Sequence, residues 1–181
     1  MEKYVNTTVT VLHGRLVYAT IPEGAELPPS NGRVFLCSDK TLVYEQFFAD
    51  FGPLNLACVV RFVEQLARIL EDHAHDGKLI VYHSSEHEHR RSNSAFLISC
   101  FALLHLKRNV VESYAPFVGI QPPLFPFRDA AFSTCSFPLT VLQVRHPTQY
   151  RKKIRRVQFS LYILHSSRFD CKSVFVRSHE L

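Results

Sequence analysis

Residues 78–106 constrain this chain more than any other stretch. Lys78-Leu79-Ile80-Val81-Tyr82 is apolar after its first residue and follows the turn signal Asp76-Gly77. A short continuous apolar run after a turn suits a strand inside a mixed or parallel sheet. The polar stretch His83-Ser84-Ser85-Glu86-His87-Glu88-His89-Arg90-Arg91 comes next and reads as a loop. Residues 92–106 are then apolar almost all round, which predicts a central, buried helix. A buried strand whose loop opens a helix presents backbone N–H groups and a positive dipole end to an anion.

The flanking segments supply the rest of an α/β domain. Residues 7–12 and 15–21 alternate in the manner of strands, broken at Gly14, and read as a hairpin or strand pair. Residues 22–32, with three Pro and two Gly, form a loop, and 34–37 a short strand. Leu56, Val59, Val60, Val63, Leu66, Ala67 and Leu70 recur at helical spacing, and Pro53 suits a first helical turn. A second short helix is expected over 109–117. The architecture expected is α/β, a central mixed sheet flanked by helices on both faces.

Three strings carry a resemblance. They are Phe48-Ala49-Asp50-Phe51-Gly52-Pro53-Leu54-Asn55-Leu56-Ala57, Ser94-Ala95-Phe96-Leu97-Ile98 and Pro126-Phe127-Arg128-Asp129-Ala130-Ala131-Phe132. In order and spacing the chain resembles, over about residues 11–142, the first domain of the Cdc-fourteen family of dual-specificity protein-tyrosine phosphatases. The resemblance implies a cysteine-phosphatase-like fold and a part in phosphoprotein dephosphorylation in cell-cycle control. In that family two phosphatase-like domains stand in tandem, and only the second carries the catalytic cysteine loop. The first helps shape the groove that selects substrates near prolyl, basic sequences. The implied partners are therefore a catalytic phosphatase domain and phosphoprotein substrates, with no cofactor. Asp50, Gly52, Pro53, Asn55, Phe127, Arg128 and Asp129 lie in the matching strings and are expected to be structural.

The chemistry of the 83–91 stretch can be tested against its type. A cysteine phosphatase needs a thiolate at the strand's end, about five loop residues whose N–H groups cradle phosphate, then an Arg for bidentate contact. Here His83 stands where the nucleophile would, and Arg90 or Arg91 followed by Ser92 echoes the Arg-Ser end. No cysteine lies between Cys58 and Cys100, and the stretch contains no Gly. Read as a loop, it is also longer than the active spacing. His83, Arg90, Arg91 and Ser92 thus read as a degenerate phosphate loop kept as scaffold, and the chain is expected to be inactive by itself. Residual anion binding through Arg90 or Arg91, or a phosphohistidine at His83, are the alternatives that would leave it chemistry.

Charge divides the chain. Residues 145–181 hold nine Lys or Arg against two Asp or Glu, net +7, while residues 1–144 carry net −2. The body is therefore not a basic nucleic-acid face. The expected division is a phosphatase-type domain over 1–144 and a basic tail over 145–181 outside the family match. The tail's run Arg151-Lys152-Lys153-Ile154-Arg155-Arg156 stands where the family has an acidic linker helix. That reversal is the expectation for a truncated, alternatively spliced or misannotated product. An alternative function is a stand-alone interaction module that binds phosphorylated or acidic partners through the degenerate loop and this tail.

The remaining candidates carry less. His73-x-His75 and His87-x-His89 resemble metal-ligand pairs but fall at opposite ends of one strand, so no metal is expected. Cys135 has no Arg at the offset of a phosphatase loop. The five cysteines are scattered without a Cys-x-x-Cys pair, no apolar run is long enough for a membrane span and no signal peptide stands at the start. The expectation is a nuclear or cytoplasmic protein with reduced thiols and no membrane partner.

Overall fold

The β1 strand (Thr7–Leu12) and β2 (Leu16–Ile21) turn back on each other as an antiparallel pair, from Thr7 opposite Thr20 to Leu12 opposite Leu16. The structure, a computed structural model, describes residues 5–25, 27–74, 76–130, 135 and 138–144. The expected tail over 145–181 lies outside the described residues, as do His75, Ala131 and Phe132. All six residues of β2 are buried. β3 (Arg33–Cys37) and β4 (Leu79–Ser85) complete a four-stranded mixed sheet in the order β1-β2-β4-β3. β4 runs parallel to both neighbours, with Leu16 opposite Ile80 and Arg33 opposite Leu79. A strand enclosed by two others and covered by helices must be apolar on both sides, which is why 79–82 carries no alternation. Gly77, at φ +67°, makes the left-handed turn into it.

Two long helices contact each other, α1 (Leu56–Asp72) and α2 (Glu88–Leu104). α1 is amphipathic and buries Val59, Phe62, Leu66 and Leu70. Phe62 replaces Val63 in the expected stripe, and its ring lies 4.7 Å from that of Tyr82. The helix begins at Asn55, whose Oδ1 accepts the N–H of Cys58 at 3.0 Å. Pro53 therefore stands two residues ahead of the cap rather than in the first helical turn. α2 buries every residue from Arg91 to Ala102 and is the central helix the pattern predicts. α3 (Val110–Tyr114) starts from a capping box at Asn109 and Glu112 and continues into a short 3-10 turn, Ala115–Phe117. α4 (Val141–Val144) is a single turn. No described helix is long and apolar enough to cross a membrane.

One face of the sheet is met by rings from α1 and from the 3-10 turn. That face carries Tyr18 and Tyr82, which meet Phe117 and Phe62 respectively. Both phenols are fully buried and have their hydroxyls satisfied. Tyr18 pairs with Ser84 at 2.7 Å, while Tyr82 pairs with Ser38 at 2.7 Å and donates to Ser94 of α2 at 3.0 Å. Burial pushes both phenols above their ordinary range, so they stay protonated and neutral.

Asn93 of α2 holds the segment ahead of α1. Its Oδ1 accepts the N–H of Leu54 at 3.2 Å and its Nδ2 donates to the carbonyl of Gly52 at 3.3 Å. Gly52 is required by a close approach: a Cβ there would stand 2.9 Å from the Tyr44 ring. Asn93→Ala leaves two backbone groups without their side-chain partner, at about 1–3 kcal/mol for each one that stays buried. We expect the variant to lose about 2–4 kcal/mol in urea denaturation with an unchanged slope. A loss within experimental error of zero would show that the clamp is dispensable.

Candidate functional site

The polar stretch after Tyr82 is almost all regular structure. β4 extends through Ser85 and α2 begins at Glu88, so only Glu86 and His87 stand between them. The nine-residue loop read from the sequence is corrected to two residues. The reason is pairing. Ala19, Thr20 and Ile21 of β2 continue the ladder opposite His83, Ser84 and Ser85, and the Ser84 hydroxyl finds Tyr18. A polar side chain does not stop a strand when a buried partner takes its hydrogen bond. At the other end, His87 caps α2 by accepting the N–H of His89 on Nδ1 at 3.3 Å, and Glu88 sits favourably in the first turn.

Several groups that could hold an anion are engaged inside the protein. The Ser85 N–H donates to the carboxylate of Asp39 at 2.7 Å. Arg90 is half-exposed and pairs with Glu23 at 3.2 Å, while also donating to the Ser85 hydroxyl at 3.3 Å. Arg91 is 4% exposed and donates to the carbonyl of Pro122 at 2.6 Å. Ser92 is buried and donates to the carbonyl of Phe125 at 2.8 Å. His83 is half-buried, its ring edge-on to Phe35, and its Nδ1 has no hydrogen-bond partner among the described residues. Arg90 and Arg91 thus bond different acceptors within the protein, and neither is paired with His83 in these contacts.

A cavity of about 210 Å³ opens at the carboxyl ends of β3 and β4. Asp39, Tyr44, Phe51, His87, His89 and Arg90 are among its lining residues. This is where open α/β sheets place ligand sites. The His89 ring stacks on Phe51, centroids 3.9 Å apart and nearly parallel. His87 and His89 are neighbours at 5.4 Å, part turn and part helix rather than two loop residues. No cluster of three His, Cys, Asp or Glu side chains among the described residues is placed to hold a metal.

The family strings meet beside this cavity. Phe51 and Arg128 exchange backbone hydrogen bonds at 3.0 and 2.8 Å as an antiparallel bridge. The Phe127 ring packs on Phe51 at 5.1 Å and edge-on to Phe96 at 6.2 Å. Asp50 accepts from the Tyr44 hydroxyl and from the N–H groups of Phe47 and Phe48, at 2.9 and 2.8 Å for the two amides. The Tyr44 hydrogen bond and those amides hold its carboxyl below the usual range. The Tyr44 phenol is pushed up to about 12 by burial and by Asp50. Asp129 is exposed. Asp39, Glu23, Tyr44 and Asn93 are absent from the sequence-derived site. Asp39 had one available signal: it is a carboxylate directly after an apolar strand that pairs with β4.

Burial lowers the pKa of His83, and burial together with His87 lowers that of His89. Both groups bind protons more weakly folded than unfolded. Stability is therefore greatest above the ordinary imidazole pKa of about 6.5 and falls as pH drops through it. We expect unfolding free energy to decline below that point, with a shallower decline in the double variant His83→Gln, His89→Phe. An identical slope in both proteins would refute the assignment.

Residues 10–150 match the family described as dual specificity protein phosphatase, N-terminal half, a span that reaches past the 142 suggested by the motifs. The chain is 42% identical over 130 residues to the mouse dual specificity protein phosphatase CDC14A, covering 71% of this chain and 21% of the relative. It is 44% identical over 105 residues to the human CDC14A, covering 58% and 18%. It is 30% identical over 144 residues to the yeast tyrosine-protein phosphatase CDC14, covering 78% and 25%. The chain thus spans about a fifth to a quarter of the length of these relatives. It belongs to the family of dual specificity protein phosphatase N-terminal halves.

Proposed function

We infer that this domain is the non-catalytic, substrate-shaping half of a dual-specificity protein phosphatase, and that it acts by supporting a catalytic half rather than by binding phosphate itself. The observation that carries this reading is the internal engagement of the 83–92 region. Asp39 takes the Ser85 N–H, Glu23 takes Arg90 and the Pro122 carbonyl takes Arg91. A carboxylate already sits where a ligand anion would seek an N–H group, and a second anion there would meet like charge. The stand-alone alternative draws on Arg90, Arg91 and the basic tail, and of these Arg91 is buried and engaged.

The surface offered to a catalytic half is the segment 43–48. Val43, Phe47 and Phe48 are 60%, 91% and 54% exposed. Asp50 fixes this segment by accepting two of its amides, so the apolar side chains are held outward beside the cavity. Apolar surface presented on a rigid turn loses little entropy on docking.

The purified chain is expected to show no turnover of phosphotyrosyl or phosphoseryl peptides, and no phosphopeptide affinity that Arg90→Ala removes. Co-expressed with the remaining part of a CDC14A relative, it should co-purify with that part. Phe47→Ser with Phe48→Ser should abolish the association while leaving the circular dichroism melt unchanged. Turnover by the isolated chain, abolished by His83→Ala, would overturn the reading. So would phosphopeptide binding lost with Arg90.

A further inference from the structure

The chain contains five asparagines, and four of them have their side chains engaged. Asn6 donates to Glu86 at 2.8 Å. Asn55 caps α1 by accepting from Cys58. Asn93 clamps Leu54 and Gly52. Asn109 accepts the N–H of Glu112 at 2.9 Å in the capping box of α3. The fifth, Asn31, stands exposed in the turn that leads into β3, and no hydrogen bond among the described residues holds its amide.

Its successor makes the difference. Asn31-Gly32 is the single Asn-Gly pair in the sequence. Gly32 is exposed, and a Cβ built on it would meet nothing within 4 Å. A residue without a Cβ lets its backbone nitrogen rotate and close on the preceding side chain, which bulkier residues hinder.

We propose that Asn31 is a site of spontaneous deamidation and isoaspartate formation. The Gly32 backbone nitrogen attacks Cγ of Asn31, forming a new C–N bond as the Cγ–Nδ2 bond breaks. Ammonia leaves carrying the proton that the Gly32 nitrogen gives up, and a five-membered succinimide remains. Water then opens the ring. Addition at Cγ restores an ordinary backbone with aspartate at position 31. Addition at the main-chain carbonyl routes the backbone through Cβ and leaves isoaspartate. No electrons are exchanged with another group, and water is the one co-reactant.

The position gives the change a structural consequence. The carbonyl of Gly32 accepts the N–H of Leu79 at 3.0 Å, and Arg33 opposite Leu79 begins the β3–β4 register. Isoaspartate adds one methylene to the backbone directly ahead of that first ladder bond, and both products add a negative charge beside Arg33. The far end of β3 leads to Ser38 and Asp39 at the cavity. The modification therefore acts on the entry of the strand whose exit supplies Asp39.

The test is to hold the folded chain at physiological temperature and pH. Aliquots are then digested and read by peptide mass and by isoaspartyl methyltransferase labelling. The amide-to-acid mass gain and the methyl label should appear in the peptide containing Asn31. Both should vanish in Asn31→Ala, and the rate should fall roughly tenfold in Gly32→Ala. A parallel sample in urea separates chain chemistry from fold. The proposal is overturned if the Asn31 peptide changes in urea but not in the folded protein, since the turn would then be holding the two atoms apart. It is equally overturned if the label appears at Asn6, Asn55, Asn93 or Asn109 and not at Asn31.

Discussion

One buried amide joins the parts of this domain. Asn93 sits within the central helix, and its side chain takes both a donor and an acceptor from the backbone that leads into α1. Helices otherwise pack through side chains that tolerate small shifts, whereas a two-point hydrogen bond from side chain to backbone fixes register. With residues 52–54 fixed, Phe51 is placed to bridge Arg128 and to receive Phe127 and His89 on its ring. Three strings separated by some forty and thirty residues of sequence thereby become one packed node. Gly52 permits the closeness that this requires, since the Tyr44 ring occupies the volume a side chain would need.

The same economy governs the polar end of the sheet. A strand that ends beneath a helix N-terminus creates donors and positive potential, and these must be answered by something. In this domain the answers are intramolecular: Asp39 for Ser85, His87 for His89 and Glu23 for Arg90. Arg91, itself buried, donates instead to the carbonyl of Pro122. What remains open is a modest cavity whose lining includes two imidazoles, aromatic rings, Asp39 and Arg90, flanked by exposed phenylalanines.

Much of the architecture was legible in the residues. The hairpin and the amphipathic helix carry a periodicity, while the buried strand at 79–82 and the all-round apolar helix were told apart by length and flanking turn signals. The family strings were legible too, and their residues make the node. Legibility failed at 83–91. Polar residues there suggested a loop, yet Ser84, Ser85, Arg91 and Ser92 all have hydrogen-bond partners drawn from other segments. Hydropathy cannot register a partner that is forty or sixty residues away.

The sequence by itself determined the absence of a cysteine at the strand's end, the division of charge at residue 145, the family and the order of most elements. These depend on residue identity and local spacing, which a linear reading contains. The tertiary structure alone decided that the supposed loop is two residues long, that one arginine is buried and the other paired, and that Asp39 fills the place open to an anion. It decided, too, that of the five asparagines only Asn31 has an amide that no hydrogen bond among the described residues holds. Those outcomes rest on long-range pairing. A side chain's availability for chemistry is set by what folding brings against it, and that is a property of space rather than of order along the chain.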